Sequence, residues 1–167
     1  GSTDRSPELY TSAGFELMTI EHESFDHAGT RKLSLSAVSG ADVVIFMTQD
    51  AVLATNDSLT NLLSVFEQKQ VACAYGRQLP NEDASLSERQ ARTFNYPAES
   101  QVRSLSDRKR LGIKAAFVSN SFAAYRCEAL AAVGSFPDRL IFGEDMYVGA
   151  KLLLADWQIA YCSTATV

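Results

Sequence analysis

Three observations predict an α/β fold, with a central mixed and mostly parallel sheet flanked by helices. A continuous apolar run, Val43 to Met47, stops abruptly at Thr48-Gln49-Asp50, as a buried strand does where it gives way to a loop. Leu59, Leu62, Leu63 and Phe66 then follow the i, i+3, i+4, i+7 spacing of a helix packed on a sheet. From there extended and helical patterns alternate, the order that lays helices over a sheet and brings ligands to the carboxyl ends of its strands.

Taken in order, Phe15 to Ile20 alternate apolar with polar residues and predict a short strand. Ala28 to Ser39 predicts a helix, with Leu33, Ala37 and Val38 on a shared face and Gly40 as its stop. Val43 to Met47 is the next strand, and Val71 to Tyr75 another. From Asn81 to Arg110 the chain turns polar around Phe94-Asn95-Tyr96-Pro97, which reads as a loop and helix inserted between sheet elements. Ala115 to Tyr125 is extended, interrupted by Ser119-Asn120-Ser121, and a short helix from Glu128 to Val133 ends at Gly134. Phe142, Met146, Ala150 and Leu153 mark a helix over Phe142 to Leu154, and Trp157 to Tyr161 returns as a strand. No internal repeat or interdomain linker interrupts this order.

With 167 residues, 46% of them hydrophobic, the chain can bury one sizeable core. No apolar run approaches the roughly 20 residues that span a bilayer, and the start lacks a charged-then-apolar leader pattern. A cytoplasmic address is the resulting expectation. A net charge of −5 argues against nucleic acid as a partner. Arg103, Arg108, Lys109 and Arg110 form a local basic cluster, read as a solvated face. Cys73, Cys127 and Cys162 lie in apolar segments without close pairing, which fits buried small residues better than disulfides or a thiolate zinc site.

Chemistry has three candidate addresses. Asp50 follows directly on a predicted strand, so it is either a ligand-facing carboxylate at the sheet edge or an ordinary turn aspartate. Glu144 and Asp145 open a predicted helix, where backbone amides stabilise carboxylates and depress their pKa. They either steady the helix or supply an ionised general base. His27, Thr30 and Arg31 stand at another helix start beside Gly29, an arrangement suited to a phosphate. His22 and His27 match no common zinc spacing.

Several separated segments together resemble family 2 of the inverting glycosyltransferases, and within it the bacterial rhamnosyltransferase-like group. Gly1-Ser2-Thr3-Asp4 is similar to the tail of the family's D-x-G-S-T-D segment. Phe25 to Arg31 resembles F-N-H-x-x-T-R-N, with Asp26 and Lys32 in place of its asparagines. Val44 to Ala51 resembles the strand carrying the D-x-D metal motif, with Thr48 in place of the first aspartate and Asp50 retained. Leu140 to Asp145 resembles the G-E-D segment, and Ser119-Asn120-Ser121 with Ala124-Tyr125-Arg126 the extended segment lining the cleft.

The resemblance implies a GT-A fold, of which residues 1–167 would be a single catalytic domain lacking the first strand-helix-strand and the C-terminal end. It implies an inverting transfer of a sugar such as rhamnose from a dTDP- or UDP-sugar to a polysaccharide or lipid-linked oligosaccharide hydroxyl, at the inner face of the membrane. Asp145 would be the catalytic base and Asp50 the ligand of Mg²⁺ or Mn²⁺. Asp4, His27, Thr30, Arg31, Gln49 and Asp50 would face the donor, and Asn120, Glu144 and Trp157 the acceptor. The rival expectation is a non-catalytic carbohydrate-binding or assembly module on a degenerate version of the same fold, which the loss of the first aspartate at Thr48 favours.

Overall fold

The computed structural model describes residues 3–38, 40–140 and 142–167. Its strands are β1 (Val43–Met47), β2 (Val71–Arg77), β3 (Gln101–Arg103), β4 (Phe122–Arg126) and β5 (Gln158–Thr166), joined in one sheet of order β1-β4-β2-β5-β3. The helices are α1 (Ser6–Ser12), α2 (His27–Leu35), α3 (Ser58–Ser64), α4 (Leu86–Asn95), α5 (Arg108–Leu111), α6 (Cys127–Ala132) and α7 (Glu144–Leu154), with short 3-10 turns between them.

The sheet is mixed, but its pairings correct the expectation of a mostly parallel one. β4 lies antiparallel between β1 and β2, β3 pairs antiparallel with β5, and only β2 with β5 is parallel. β1, β2 and β5 nevertheless run the same way, because β4 reverses direction between the first two. Their carboxyl ends therefore share one edge with the amino end of β4. That edge holds Thr48, Gln78, Ser121 and Val167, and it is where a ligand-binding cleft belongs.

Side chains alternate along the strands and build a core on each face. Cys73, Tyr75, Ala123, Tyr125, Ile159 and Tyr161 pack with α6, α7 and the 3-10 turn Gly112–Ala116. Ala74, Phe122, Ala124, Ala160 and Cys162 pack on the other face with Leu62 of α3. Small residues on the central strands are a packing requirement. A side chain at Gly76 would collide with the Phe122 ring and the Ala165 carbonyl, so β2 needs a glycine where β4 and β5 close in on it. Gly149 is constrained likewise, since a Cβ there would strike the Ala116 carbonyl and push α7 off the turn beneath it.

Several local expectations are corrected. Phe15 to Ile20 forms no strand, and these residues lie outside the sheet with Phe15, Leu17 and Met18 exposed. Alternation without a neighbouring strand to accept its hydrogen bonds does not suffice. The helix expected from Ala28 to Ser39 begins one residue earlier, gives way to a 3-10 turn at Ser36–Val38, and its last expected residue is outside the described set. Ala115 to Tyr125 is extended only in its second half. The polar insertion contributes β3, an edge strand, besides α4 and α5. Arg103 leaves the expected solvated cluster: it is buried, and its guanidinium donates to the carbonyls of Lys114 and Phe117, each at 2.5 Å, and to the Tyr75 hydroxyl at 3.1 Å. A charge so placed ties the Gly112–Ala116 turn to the sheet. Among the described residues no helix is long and apolar enough to cross a membrane.

Candidate active site

Two adjoining depressions occupy the sheet edge. The larger, about 560 Å³, is walled by α2, α4, the Phe117 to Ser121 segment and the start of α7. The smaller, about 160 Å³, is walled by Thr48, Asp50, Gln78 and Asn81 among others. Thr48, Arg92 and Ser121 belong to both walls, so the two are continuous.

Asp145 stands in the larger cleft. Gly143 takes the left-handed conformation with φ +81°, which turns the chain sharply into α7 and delivers Glu144 and Asp145 to the cleft wall. One Asp145 carboxylate oxygen accepts from the backbone N–H of Met146 at 2.7 Å, the other from that of Asn120 at 3.4 Å. The expected depression of its pKa is reversed. Burial pushes the Asp145 carboxyl above the ordinary range and the neighbouring Glu144 adds to the rise, against the lowering by the Met146 and Asn120 amides. Desolvation outweighs the helix terminus because the carboxylate is half-buried against the sheet.

Glu144 has a different task from the one expected. It is buried, and it accepts from Arg31 Nη1 at 2.5 Å and from Asn120 Nδ2 at 3.5 Å. The Asn120 side chain is fixed in turn by the Tyr125 hydroxyl, which donates to its Oδ1 at 2.7 Å. Arg31 lines the cleft as the partner of Glu144. Its guanidinium is paired with Glu144 and lies over the Phe46 ring at 5.9 Å, so it braces α2 against α7 instead of offering a free charge to a phosphate. Glu144, Asn120 and Arg31 line the cleft as a frame beside Asp145, which Asn120 meets through its backbone amide.

The start of α2 is not an open phosphate site. Asp26 caps it, accepting from the Gly29 amide at 2.7 Å, while the amides of Ala28 and Thr30 go to the carbonyls of Leu140 and Asp26. An aspartate in place of the family's asparagine thus keeps the capping role. His27 lines the cleft, its ring edge-on to Phe25, but Thr30 lines neither depression. Trp157 is not brought to the cleft either, because it follows the far end of α7, about 16 Å from its start at 1.5 Å per residue, and packs against the core. Ala124 and Tyr125 are buried in the sheet, and Arg126 donates to the carbonyls of Val71 and Phe66, so of the expected cleft-lining segment only Ser119 to Ser121 reaches the site.

On the smaller side, Asp50 is exposed just beyond β1 in a turn closed by the Ala51 amide and the Thr48 carbonyl. The Thr48 hydroxyl is the main cause holding the Asp50 carboxyl below its ordinary pKa, with a lesser contribution from the positive charge of Arg92. Gln49 points to neither depression, and Asp4 caps the exposed α1 through the Ser6 amide. The Gly1-Ser2 part of the D-x-G-S-T-D resemblance lies outside the described residues. Among the described residues no group of three or more His, Cys, Asp and Glu side chains could hold a metal. One ionised carboxylate is a hard oxygen ligand suited to a divalent ion shared with a diphosphate, and does not suit a protein-only metal centre.

Sequence reasoning missed Arg92 and the Arg103 anchor. Arg92 carried a signal in hindsight: Glu88, Ala91, Arg92 and Asn95 repeat at helical spacing and form the cleft-facing stripe of α4.

The sheet edge thus carries a cleft of two adjoining depressions, with one carboxylate at a helix start and another beyond β1, on a mixed α/β fold of the glycosyltransferase GT-A type. The same architecture occurs in the mannosyltransferase PcManGT from Pyrobaculum calidifontis, solved in complex with GDP-Man and Mn2+: TM-score 0.68 at 16% identity, over 99% of this chain and 44% of that one. Residues 1–134 match the family described as Glycosyl transferase family 2, and the chain belongs to that family. It is 42% identical over 166 residues to the O-antigen chain rhamnosyltransferase WbaN of Salmonella anatum, covering 99% of this chain and 53% of that protein. It is also 42% identical over 168 residues to the O-antigen chain rhamnosyltransferase RfbN of Salmonella typhimurium, covering 100% and 54%. The chain thus spans about half the length of these curated relatives.

Proposed function

We propose that this chain carries the catalytic cleft of an inverting rhamnosyltransferase, moving the sugar of a dTDP- or UDP-sugar to a hydroxyl of a polysaccharide or lipid-linked saccharide. The observation that carries the reading is Asp145, half-buried, held by two backbone amides and facing a cleft that runs on into the Asp50 depression. The rhamnosyl part rests on the 42% identity to the two O-antigen rhamnosyltransferases.

In this reading the donor's diphosphate occupies the Asp50 side and the acceptor hydroxyl faces Asp145. Asp145 accepts the hydroxyl proton as the acceptor oxygen bonds to the anomeric carbon. The bond from that carbon to the phosphate oxygen breaks with its electron pair, leaving the nucleoside diphosphate and an inverted centre. A raised carboxyl pKa makes the ionised form of Asp145 a better proton acceptor than an ordinary aspartate. The backbone amides of Met146 and Asn120 hold the base in one orientation, which is where positioning supplies rate. A divalent ion, Mg²⁺ or Mn²⁺, would be held by Asp50 together with the diphosphate and would supply positive charge against the departing group.

The test is calorimetric titration of the full chain with dTDP and UDP, with and without Mn²⁺, repeated on Asp50→Ala, followed by the anomeric configuration of the product by NMR. Metal-dependent binding lost in Asp50→Ala and an inverted product are expected. Absence of nucleotide binding under every condition, or a product of retained configuration, refutes the reading.

A further inference from the structure

We infer that Arg92 forms an anion site at the junction of the two depressions, one that binds the diphosphate of the donor and stabilises it as it departs. The inference rests on the transferase reading above and goes beyond it by naming a protein-borne cation that acts on the leaving group.

Arg92 lies on the cleft-facing stripe of α4 and walls both depressions, which places its guanidinium between the Asp50 side and the Asp145 side. A diphosphate spanning those two sides must pass this point. Its charge acts on Asp50 and Glu88 only through space, adding to the lowering of each pKa, and is committed to no direct contact among the described residues. Among the described residues walling the two depressions the arginines are Arg31 and Arg92, and there is no lysine. Arg31 is committed to Glu144 at 2.5 Å. Arg92 has no ion pair and no side-chain hydrogen bond among the described residues, although Glu88 stands one helical turn before it, the usual spacing for a pair. Glu88 is occupied elsewhere, closing the capping box of α4 by accepting from the amide and the hydroxyl of Ser85, each at 2.7 Å.

The chemistry needs such a group. When the bond between the anomeric carbon and the phosphate oxygen breaks, its electron pair stays on the diphosphate, which gains one negative charge. Asp50 is the one side-chain carboxylate among the described residues walling the smaller depression, so an ion held there would have a single charged side chain as ligand. A guanidinium presents several N–H donors in a planar fork and remains charged at every working pH, which suits it to phosphate oxygens. Stabilising the charge that develops as the bond breaks raises turnover, and the same contact to the charge already present on free dTDP raises its affinity.

The experiment compares wild type, Arg92→Gln, Arg92→Lys and the exposed control Lys109→Gln in the full chain, measuring dTDP affinity by calorimetry in EDTA and in Mn²⁺, and turnover with saturating donor. In Arg92→Gln, dTDP affinity should fall about tenfold to a hundredfold under both conditions, and turnover by about 10²–10³-fold. Arg92→Lys should recover part of both, and Lys109→Gln should match wild type. Asp50→Ala should differ in kind, weakening dTDP binding in Mn²⁺ but not in EDTA. Because α4 buries no residue, thermal midpoints should coincide across the set, which separates ligand loss from misfolding. Wild-type binding with Arg92→Gln unchanged within twofold overturns this inference and leaves the transferase reading standing. A wild type that binds neither dTDP nor UDP in EDTA or in Mn²⁺ overturns both.

Discussion

The two carboxylates of the cleft are held in opposite ways. Asp145 is half-buried, takes two backbone amides, and stands beside a frame in which Arg31, Glu144, Asn120 and Tyr125 fix one another through side-chain bonds of 2.5 to 3.5 Å. Asp50 is exposed, sits in a turn, and is influenced chiefly by the Thr48 hydroxyl, with Arg92 contributing less. The Asp145 side is finished by folding. The Asp50 side is open, and in the proposed reading the rest of its geometry comes from whatever binds there. A group that moves a proton gains from a fixed orientation, whereas a group that shares a cation with a mobile diphosphate must adjust as that diphosphate enters and leaves.

Substitutions should expose this asymmetry. The largest effect is expected from Asp145→Asn, which should lower turnover by about 10²–10⁴-fold while leaving dTDP affinity within a few-fold of wild type. Parallel losses in both would place Asp145 on the donor side and break the comparison. Next, Arg31→Met leaves Glu144 buried without its partner, and urea unfolding should show a loss of about 3–5 kcal/mol. A cost near zero would mean that the frame does not bear on the fold. Gly143→Ala forces a Cβ into left-handed backbone and should cost about 1–2 kcal/mol, with turnover falling too because Asp145 is displaced. At the small end, Asp50→Ala should change stability by no more than about 0.5 kcal/mol while still losing metal-dependent nucleotide binding.

The raised pKa of Asp145 gives the comparison a pH signature. The folded state holds a proton on this group more readily than the unfolded chain does. The stability it contributes is complete below the unfolded value of an ordinary aspartate and is lost as pH rises through the higher folded value. Turnover runs the other way, rising with pH across that folded value as the base ionises. Asp145→Asn should therefore be more stable than wild type at neutral pH, measured as a higher thermal midpoint, although it barely turns over. Equal midpoints at pH 4 and pH 7 for the pair would contradict the burial argument.

Much of the fold was legible where pattern and packing agree. The run at Val43 to Met47 became β1 with those bounds, and the spacing of Leu59, Leu62, Leu63 and Phe66 became α3 and the 3-10 turn after it. Phe15 to Ile20 misled because alternation is a local signal and pairing is not. The placement of β4 between β1 and β2 was unreadable, since nothing in Phe122 to Arg126 states which strands will flank it. In the site, Asp50 and Asp145 were legible because each stands at the end of a recognisable element. The direction of the Asp145 pKa was not, because its burial depends on Ser119 to Ser121 and on α2, which meet it only in space. For the same reason Arg31 looked like a free cation until its pairing with Glu144, 113 residues away, was in view.

The position of α4 carries a last consequence. It walls the larger depression with Glu88, Ala91, Arg92 and Asn95 and the smaller with Arg92, yet none of its residues is buried, and it is attached by the capping box at Ser85, Arg89 on the preceding loop, Phe94 under the Lys114 ammonium and the buried Tyr96 at its end. A helix so attached opens at little cost, as a cooperative unit apart from the sheet, and its amides should exchange with solvent far sooner than those of β2. Changes of residue or length between Ser85 and Tyr96 would therefore reshape the wall of both depressions while leaving the sheet beneath to fold as before.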